Sequence, residues 1–358
     1  MKVQNKTDYL TGKASDNALL NEDEIRYLLE IPYNSLDAGY IMACANQLTR
    51  QACDGKAEVH AQVGMNLSPC PRNCLFCAFA EVNKIFTGKT ELPVEEVVAL
   101  ARRAEAEGAN ALFFMATGDY PFERYIEYSH EVRRTLKPET VMVANVGDFT
   151  DRGARDLKDA GYSGIYHAVR LGEGRDTKIK PETRLRTFEV AKDAGLKLGT
   201  CVEPVGPEHT VDELLEKIIV GRDANPCYSG AARRISIPGC DLEKFGMINE
   251  LHMAYIVAVT RLAMGLDIIG NCTHEPNVLG AAAGANLFWA EAGANPRDTN
   301  AETSEGRGLG VTVCRKLFAE ADFEVLNGPS IIYGSNDSIS LDTEITETAT
   351  VPAPDAEL

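Results

Sequence analysis

Residues 68–77 read SPCPRNCLFC and place three cysteines in one run, at Cys70, Cys74 and Cys77. Three thiolates at this spacing can converge on one soft metal centre and leave its fourth position open. A structural zinc site would normally be closed by a fourth Cys or His nearby, but neither residue type follows the run before His130. The run therefore favours a metal centre with one free coordination position over the alternative of a zinc-binding loop.

Length, composition and charge limit which classes of protein this chain can belong to. The chain has 358 residues, 44% of them hydrophobic, and a formal net charge of -17. This length is usual for an α/β barrel. An acidic surface repels phosphate backbones, so we expect no nucleic-acid partner. The charge is still compatible with a small anionic substrate, because a local pocket can be basic inside an acidic shell.

The ten cysteines are expected to be reduced thiols that serve metals or catalysis. The start of the chain is polar and lacks the apolar stretch of a signal peptide. The longest apolar run, around residues 253–260, is interrupted by Arg261 before it reaches membrane-spanning length. The sequence therefore predicts a cytoplasmic protein that does not enter a membrane.

A β/α repeat organises most of the chain. Four times a helix ends in a small residue and glycine, which supplies the left-handed residue after a helix, and an apolar strand follows. These glycines are Gly108, Gly161, Gly195 and Gly284. Apolar runs predict eight strands, near 60–67, 111–116, 140–146, 164–170, 197–203, 233–238, 267–272 and 286–291. Helical patterns lie between them, near 93–107, 121–136, 151–160, 181–194, 210–222, 246–264 and 275–283.

Strict β/α alternation indicates a parallel sheet. Eight units favour an α/β fold of the (β/α)8 TIM-barrel type over an open doubly wound sheet. We expect a helical extension in residues 1–57, the barrel with a closing helix in residues 58–330, and a tail in residues 331–358. The tail is acidic and lacks basic residues from Ser335 onward, so we expect it to be disordered.

The cysteine run, with an aromatic residue before its last cysteine, resembles the radical S-adenosylmethionine (SAM) superfamily. The eight β/α units and several strand ends resemble its biotin-synthase-like branch, across roughly residues 20 to 330. The resemblance implies a 4Fe-4S cluster held by Cys70, Cys74 and Cys77, whose free iron binds SAM. It also implies an electron donor such as ferredoxin or flavodoxin, and a 5'-deoxyadenosyl radical that abstracts hydrogen from a small-molecule substrate.

Further residues acquire candidate SAM-binding roles from the resemblance. The segment MATGDYP, residues 115–121, resembles the turn that binds the SAM amino group, although it has Asp in place of Glu. An Arg in the fourth helix of the family holds the SAM carboxylate, and a bidentate guanidinium suits that task. The candidate SAM-binding residues are Phe76, Thr117, Gly118, Asp119, His167, Arg170, Glu173 and Arg184. Phe76 could equally fill the core, and Arg170 and Glu173 could form an ordinary loop ion pair.

Four residues are candidates for catalytic contacts. Glu203 follows the fifth strand and could touch SAM ribose or substrate, and His274 could act as acid or base. Cys201 and Cys272, together with Cys240, follow adjacent strands and could hold a second cluster or a substrate. The alternative for each cysteine is a small buried hydrophobe.

The sequence disfavours biotin synthase itself. The cysteines that hold the sulfur-donating cluster of that enzyme are replaced near Phe114 and Val143, and its ribose-binding pattern is replaced at Ala168 and Arg170. We therefore expect an oxygen-sensitive enzyme that promotes a rearrangement or fragmentation of a metabolite or cofactor precursor. One alternative is sulfur insertion from an auxiliary cluster, and another is a non-catalytic iron–sulfur or zinc protein.

Overall fold

The computed structural model describes residues 2–334, in which eight parallel strands close into a barrel. The strands are β1 (Lys56–Gly64), β2 (Ala111–Met115), β3 (Val141–Asn145), β4 (Tyr162–Tyr166), β5 (Lys197–Gly199 and Val202–Val205), β6 (Tyr228–Arg233), β7 (Gly270–Cys272) and β8 (Leu287–Gly293). The barrel closes where β8 pairs with β1, with Glu58 opposite Leu287. The predicted (β/α)8 barrel is confirmed.

Helices lie between the strands and before them. They are α1 (Asn5–Ser15), α2 (Glu22–Glu30), α3 (Leu36–Ala52), α4 (Val94–Ala106), α5 (Phe122–Thr135), α6 (Asp151–Asp159), α7 (Pro181–Asp193), α8 (Val211–Asp223), α9 (Glu250–Met264), α10 (Val278–Ala282) and α11 (Val311–Glu320). Two short strands, Asn66–Leu67 and Thr90–Glu91, pair outside the barrel, and Glu324–Val325 adds to the start of β1. Within residues 2–334, no helix combines the length and the apolarity that crossing a bilayer would need.

The helix ends form where the sequence signals place them. Asn21 and Glu24 form a reciprocal capping box at the start of α2, and Thr210 and Glu213 form another at the start of α8. The four glycines that follow helices have φ angles from 71° to 101°, in the left-handed region. Local interactions therefore set where these helices of the barrel begin and end.

The N-terminal helices share the core of the barrel. Ile25, Leu28, Ile41 and Leu48 are buried in the same apolar cluster as the barrel helices, and α3 packs along α9. Burying one such side chain contributes about 1.5–3 kcal/mol. Because β1 begins at Lys56, a division of the chain after residue 57 would fall inside this strand.

Aromatic side chains fill the barrel interior below the carboxyl ends of the strands. Phe113, Tyr228, Trp289 and Tyr333 pack against one another there, with ring centroids 4.3 to 6.0 Å apart in the adjoining pairs. Tyr333 is buried, so the packed core continues beyond residue 330, while the expected acidic tail from Ser335 onward lies outside the described residues. The interior is therefore a solid core, and open space remains only above it.

The position predicted for the sixth strand is wrong. The prediction placed this strand at residues 233–238, where isoleucines alternate with polar residues, but β6 spans Tyr228–Arg233. A side chain at Gly230 would collide with the backbone of Cys272 on β7, so the strand needs a residue without strand propensity there. As a result, Arg233 lies at the carboxyl end of its strand, on the side of the open mouth.

Candidate active site

One large cavity opens at the carboxyl ends of the strands, where barrels of this type place their active sites. It has about 1280 Å³ of atom-free space, counted to its open mouth. Residues at or beyond the end of every strand line it: Cys70, Thr117, Asp148, His167, Glu203, Arg234, His274 and Asn295. The cavity therefore collects side chains from all eight β/α units.

The loop that carries the three cysteines is held by its own backbone. The N–H of Cys70 donates to the carbonyl of Phe79 at 2.7 Å, and the N–H of Cys77 donates to the carbonyl of Cys74 at 2.9 Å. Asn73 has a φ of 49°, and its side chain accepts from the N–H of Val82 at 2.9 Å. These bonds shape the loop that carries the three cysteines.

The cysteine spacing fits a cluster better than a single ion. Cys70, Cys74 and Cys77 all line the cavity, but their sulfur atoms do not all lie within 4.8 Å of one another. Ligands of one tetrahedral zinc, with bonds of about 2.3 Å, would lie only ~3.8 Å apart. Burial raises the pKa of each thiol, to about 11 for Cys74, so thiolates would form there only with a cationic centre to bind.

The turn after β2 comes close to the first cysteine. Thr117 and Gly118 line the cavity, and a Cβ built at Gly118 would lie 3.8 Å from the sulfur of Cys70. Asp119 does not line the cavity, since its carboxylate accepts from the hydroxyls of Thr117 at 2.8 Å and Ser68 at 3.3 Å. Asp119 therefore stabilises the turn, and Thr117 and Gly118 offer the groups that a ligand can reach.

Arg184 joins two candidate residues, Glu173 and His167, and a third residue, Asp148, in one network. Its Nε donates to Glu173 at 3.3 Å, and its Nη1 donates to Asp148 at 3.2 Å and lies 3.2 Å from Nε2 of His167. His167 also lies 2.9 Å from Asp148. Burial and the charge of Arg184 lower the pKa of His167 to about 4, so its imidazole is neutral at pH 7. Burial alone would raise the pKa of Asp148. The hydrogen bond from His167 and the charge of Arg184 outweigh burial and hold this pKa well below its usual value.

Arg170 and Glu173 do not form the loop ion pair that sequence reasoning weighed. Arg170 pairs instead with Glu203 at 3.2 Å, across the gap between β4 and β5. The other oxygen of Glu203 lies 3.5 Å from Nδ1 of His274. Burial would raise the pKa of Glu203, but Arg170 and His274 outweigh it and the pKa is lowered. Burial lowers the pKa of His274 to about 3, so Glu203 is ionised and His274 is neutral at pH 7.

Phe76 is half-buried and lines the same cavity. Its ring packs against the apolar cluster formed by residues such as Leu67, Phe79 and Met115. Both roles weighed for Phe76 therefore remain open to it, since the ring contributes to a core and also borders the open space. We call Cys70, Cys74, Cys77, Thr117, Gly118, Asp148, His167 and Arg184 the cysteine wall of the cavity.

A second group of lining residues has buried polar atoms without partners. No hydrogen-bond partner in residues 2–334 reaches Nε2 of His274, Nε1 of Trp289, Nδ2 of Asn295 or Nη1 of Arg297. All four residues line the cavity, from the end of β7 to the loop after β8, and two other lining residues, Tyr166 through its hydroxyl and Arg234 through Nε, also have a buried atom without a partner in residues 2–334. We call these four residues the donor patch. None of the cysteine wall residues has a buried side-chain N or O atom left unpartnered within the described chain.

The structure does not bring the three later cysteines together. The sulfur atoms of Cys201 and Cys272 lie 3.8 Å apart, and both lie within 4.8 Å of a ring nitrogen of His274. Cys240 packs elsewhere, with Leu67 and Phe79, because β6 ends seven residues before it. Neither Cys201 nor Cys272 lines the cavity, so both lie beneath its floor. Cys240 therefore packs apart from the other two cysteines, and the grouping of Cys201, Cys240 and Cys272 as one ligand set stays a prediction.

Several lining residues were missed by sequence reasoning. Asp148 follows β3, Glu291 lies in β8, and Arg297 lies in the loop after it. Asp148 and Glu291 could have been found by the rule that polar residues at the carboxyl ends of barrel strands face the site. Arg233 could not, because the misplaced sixth strand put it at the opposite end.

Comparisons with known proteins agree with this geometry. The model of the radical SAM superfamily matches residues 69–219. A biotin synthase of Xanthomonas oryzae pv. oryzae (strain PXO99A) is 28% identical over 286 residues, covering 75% of this chain and 81% of the relative. A biotin synthase of Nitrosopumilus maritimus (strain SCM1) is 29% identical over 264 residues, covering 71% and 79%.

Solved structures share the fold at lower identity. Methylornithine synthase superposes with a TM-score of 0.74 at 15% identity, covering 89% of this chain and 97% of that one. A maturase of FeFe-hydrogenase from Carboxydothermus hydrogenoformans has a TM-score of 0.74 at 17% identity, covering 91% and 80%. Residues 69–219 contain the whole cysteine wall, whereas the donor patch lies outside them.

Proposed function

We propose that this chain, a radical SAM enzyme of the biotin-synthase-like type, abstracts a hydrogen atom from a small metabolite or cofactor precursor and so starts its rearrangement or fragmentation. Its cofactors are a 4Fe-4S cluster and SAM. The observation that carries the proposal is one cavity lined both by the cysteine wall and by the donor patch. Cofactor and substrate could therefore meet in a shared, water-poor space.

The cysteine wall supplies the cofactor contacts. Cys70, Cys74 and Cys77 would ligate three irons, and the cluster, when bound, supplies the electron that splits the sulfonium of SAM. Thr117 and Gly118 offer turn groups beside Cys70 for the amino group of SAM. Arg184 would hold the SAM carboxylate through Nη2, which no acceptor in residues 2–334 engages. Asp148 and Glu173 keep its guanidinium fixed while it does so.

Glu203 stands between the two groups of residues. Arg170 keeps its carboxylate ionised, so it can accept a hydrogen bond from a SAM ribose hydroxyl or from a substrate donor. Neutral His274 lies beside the same space, with its Nδ1 3.5 Å from the other oxygen of Glu203. We assign Cys201 and Cys272 no contact with substrate, because they lie beneath the cavity floor.

Anaerobic reconstitution tests this function. The protein is loaded with iron and sulfide, given SAM and dithionite, and assayed for 5'-deoxyadenosine. We expect product well above the level of a Cys70→Ala control treated in the same way. Product no higher than this control would refute the proposal. An equilibrium SAM-binding measurement then distinguishes a non-catalytic metal protein, which would bind metal without SAM.

A further inference from the structure

We propose that the donor patch, formed by His274, Trp289, Asn295 and Arg297, is the subsite for a carboxylate group of the substrate. The assignment rests on the proposed function in one respect, because it takes the bound anion to be the substrate of that enzyme. It defines the substrate class as a small molecule with at least one carboxylate. The argument proceeds from hydrogen bonding to charge.

The four residues form one connected group. Nη2 of Arg297 donates to Glu291 at 2.6 Å and to the carbonyl of His274 at 3.0 Å. The N–H of Arg297 donates to Oδ1 of Asn295 at 2.9 Å, which fixes the amide so that Nδ2 is left as the donor. The rings of Trp289 and His274 lie 5.3 Å apart and nearly perpendicular. The patch is therefore held in place by bonds that do not use its free atoms.

The unpartnered atoms of the patch are hydrogen-bond donors, so a ligand that satisfies them must offer acceptors. Nε1 of Trp289, Nδ2 of Asn295 and Nη1 of Arg297 can only donate, and each is buried without a partner among the described residues. A buried donor left unpaired lowers stability, so natural proteins rarely gather several of them in one place. A single water could satisfy only part of this set, whereas a carboxylate offers two oxygens with about four acceptor positions.

Charge favours a monoanion over phosphate. The cavity is lined by six arginines and three carboxylates, in a chain whose net charge is -17. Within the patch, however, Arg297 is balanced by Glu291, and His274 is neutral because burial lowers its pKa. The remaining donors are neutral, so the patch carries little net charge of its own and burying one negative charge there costs less than burying two.

The single tryptophan of the chain makes the subsite directly observable. Trp289 is the only tryptophan, so one indole N–H resonance in an NMR spectrum reports on the patch. Acetate is titrated at constant ionic strength into reconstituted protein that is saturated with SAM. We expect a saturable shift of the indole resonance with acetate, none with acetamide, and a weaker response to inorganic phosphate.

Two variants test the residues themselves. Arg297→Gln and the isosteric Asn295→Asp should each weaken acetate binding about tenfold or more, because each removes a hydrogen bond to a charged group. Arg222→Gln is the matched control, since Arg222 lies in α8 outside the cavity lining and its guanidinium is already engaged by the carbonyl of Leu20 and by Asp223, and it should bind acetate as the unaltered protein does. Thermal melting of each variant checks that it is folded.

Three results would overturn the assignment. They are an acetate response that does not saturate, an equal response to acetamide, and an affinity that both patch variants leave unchanged. Blocking of the acetate response by SAM would assign the patch to the cofactor instead and also overturn it. Acetate binding requires no radical chemistry, so a failure to form 5'-deoxyadenosine would refute the proposed function without affecting this result.

Discussion

The two groups of residues around the cavity differ in how their polar atoms are satisfied. In the cysteine wall, Arg184, Asp148 and His167 bond to one another and to Glu173, so their charges are compensated within the protein. In the donor patch, four buried atoms have no partner in the described chain. The wall is complete as a framework, whereas the patch has buried donors left over that the proposed ligand would engage.

The two groups also differ in whether the superfamily model covers them. The superfamily model covers residues 69–219 and ends before the patch, whose residues lie between 274 and 297. Enzymes that share one cofactor chemistry need similar residues to bind the cofactor. The residues that bind the substrate differ from one enzyme to the next. We infer that the wall serves the cofactors and that the patch determines which substrate is accepted.

The largest expected effect is the loss of one cysteine of the wall. If the proposed ligation holds, Cys74→Ala removes one of three cluster ligands with no replacement nearby, so both iron content and 5'-deoxyadenosine formation should fall to background. Iron analysis and the product assay measure this. Cys44→Ala, in helix α3, is the matched control and should retain both. Full activity of the Cys74→Ala protein would contradict the assignment of the wall.

The next effect concerns the buried network. Arg184→Ala leaves the buried carboxylate of Glu173 and the half-buried one of Asp148 without their cation, so we expect a loss of about 3–5 kcal/mol in the free energy of unfolding. Arg186→Ala, on the same helix, removes only exposed pairs with Asp151 and Glu189 and should cost less than about 1 kcal/mol. Urea unfolding compares the two. Equal losses would mean that the network is not a stabilising framework.

The sequence predicted the wall better than the patch, and the reason is physical. Local signals are strong in the wall: a cysteine run, a turn after a strand, and an arginine at the start of a helix. Seven of its eight residues could therefore be named in advance, and only Asp148 was missed. The contacts of the three cysteines with a cluster, and of the other wall residues with SAM, remain predictions.

The patch depends on long-range placement, which the sequence does not encode locally. Arg297 and Asn295 lie in a loop beyond the last strand, and only closure of β8 onto β1 brings this loop over the cavity. Likewise, the position of β6 depends on the space beside Gly230, which is set by the neighbouring strand. The alternation of helices and strands was readable because each helix carries its own end signals.

Acid should destabilise both regions through their histidines. The folded-state pKa values of His167 and His274 are lowered to about 4 and about 3, from 6.5. Below pH 6.5 the unfolded chain binds protons that the folded protein does not, so the free energy of unfolding falls as the pH falls. At pH 5 each histidine should account for a loss of about 2 kcal/mol.

Single substitutions separate these contributions. In urea unfolding at pH 7, 6 and 5, His167→Gln and His274→Gln should each flatten the pH dependence, with His130→Gln at an exposed helix position as the control substitution. Carboxylates with lowered pKa values, such as Asp148, lose their contribution only at lower pH, so this window isolates the histidines. An unchanged slope in His274→Gln would mean that this imidazole is already charged in the folded protein.

A smaller effect is expected at the edge of the wall. Asp119 accepts bonds from Thr117 and Ser68 and does not line the cavity, so Asp119→Asn should weaken SAM binding by less than about tenfold, corresponding to 1.4 kcal/mol. Arg184→Lys should weaken it more, because an ammonium cannot keep the bonds to Glu173 and Asp148 while it also contacts SAM. Calorimetric titration with SAM measures both. The reverse order would make Asp119 a direct ligand.

The smallest expected effect is no change in iron content when the floor cysteines are replaced. Cys201→Ser and Cys272→Ser should retain about four irons per chain, because these two sulfurs and His274 are spaced for a single ion and Cys240 lies apart. Iron and sulfide analysis of the reconstituted proteins measures this, with Cys44→Ser as control. More than four irons in the unaltered protein, reduced by either substitution, would instead support sulfur insertion from an auxiliary cluster. The cavity floor would then be a second metal centre, and the contrast between wall and patch would no longer describe the whole site.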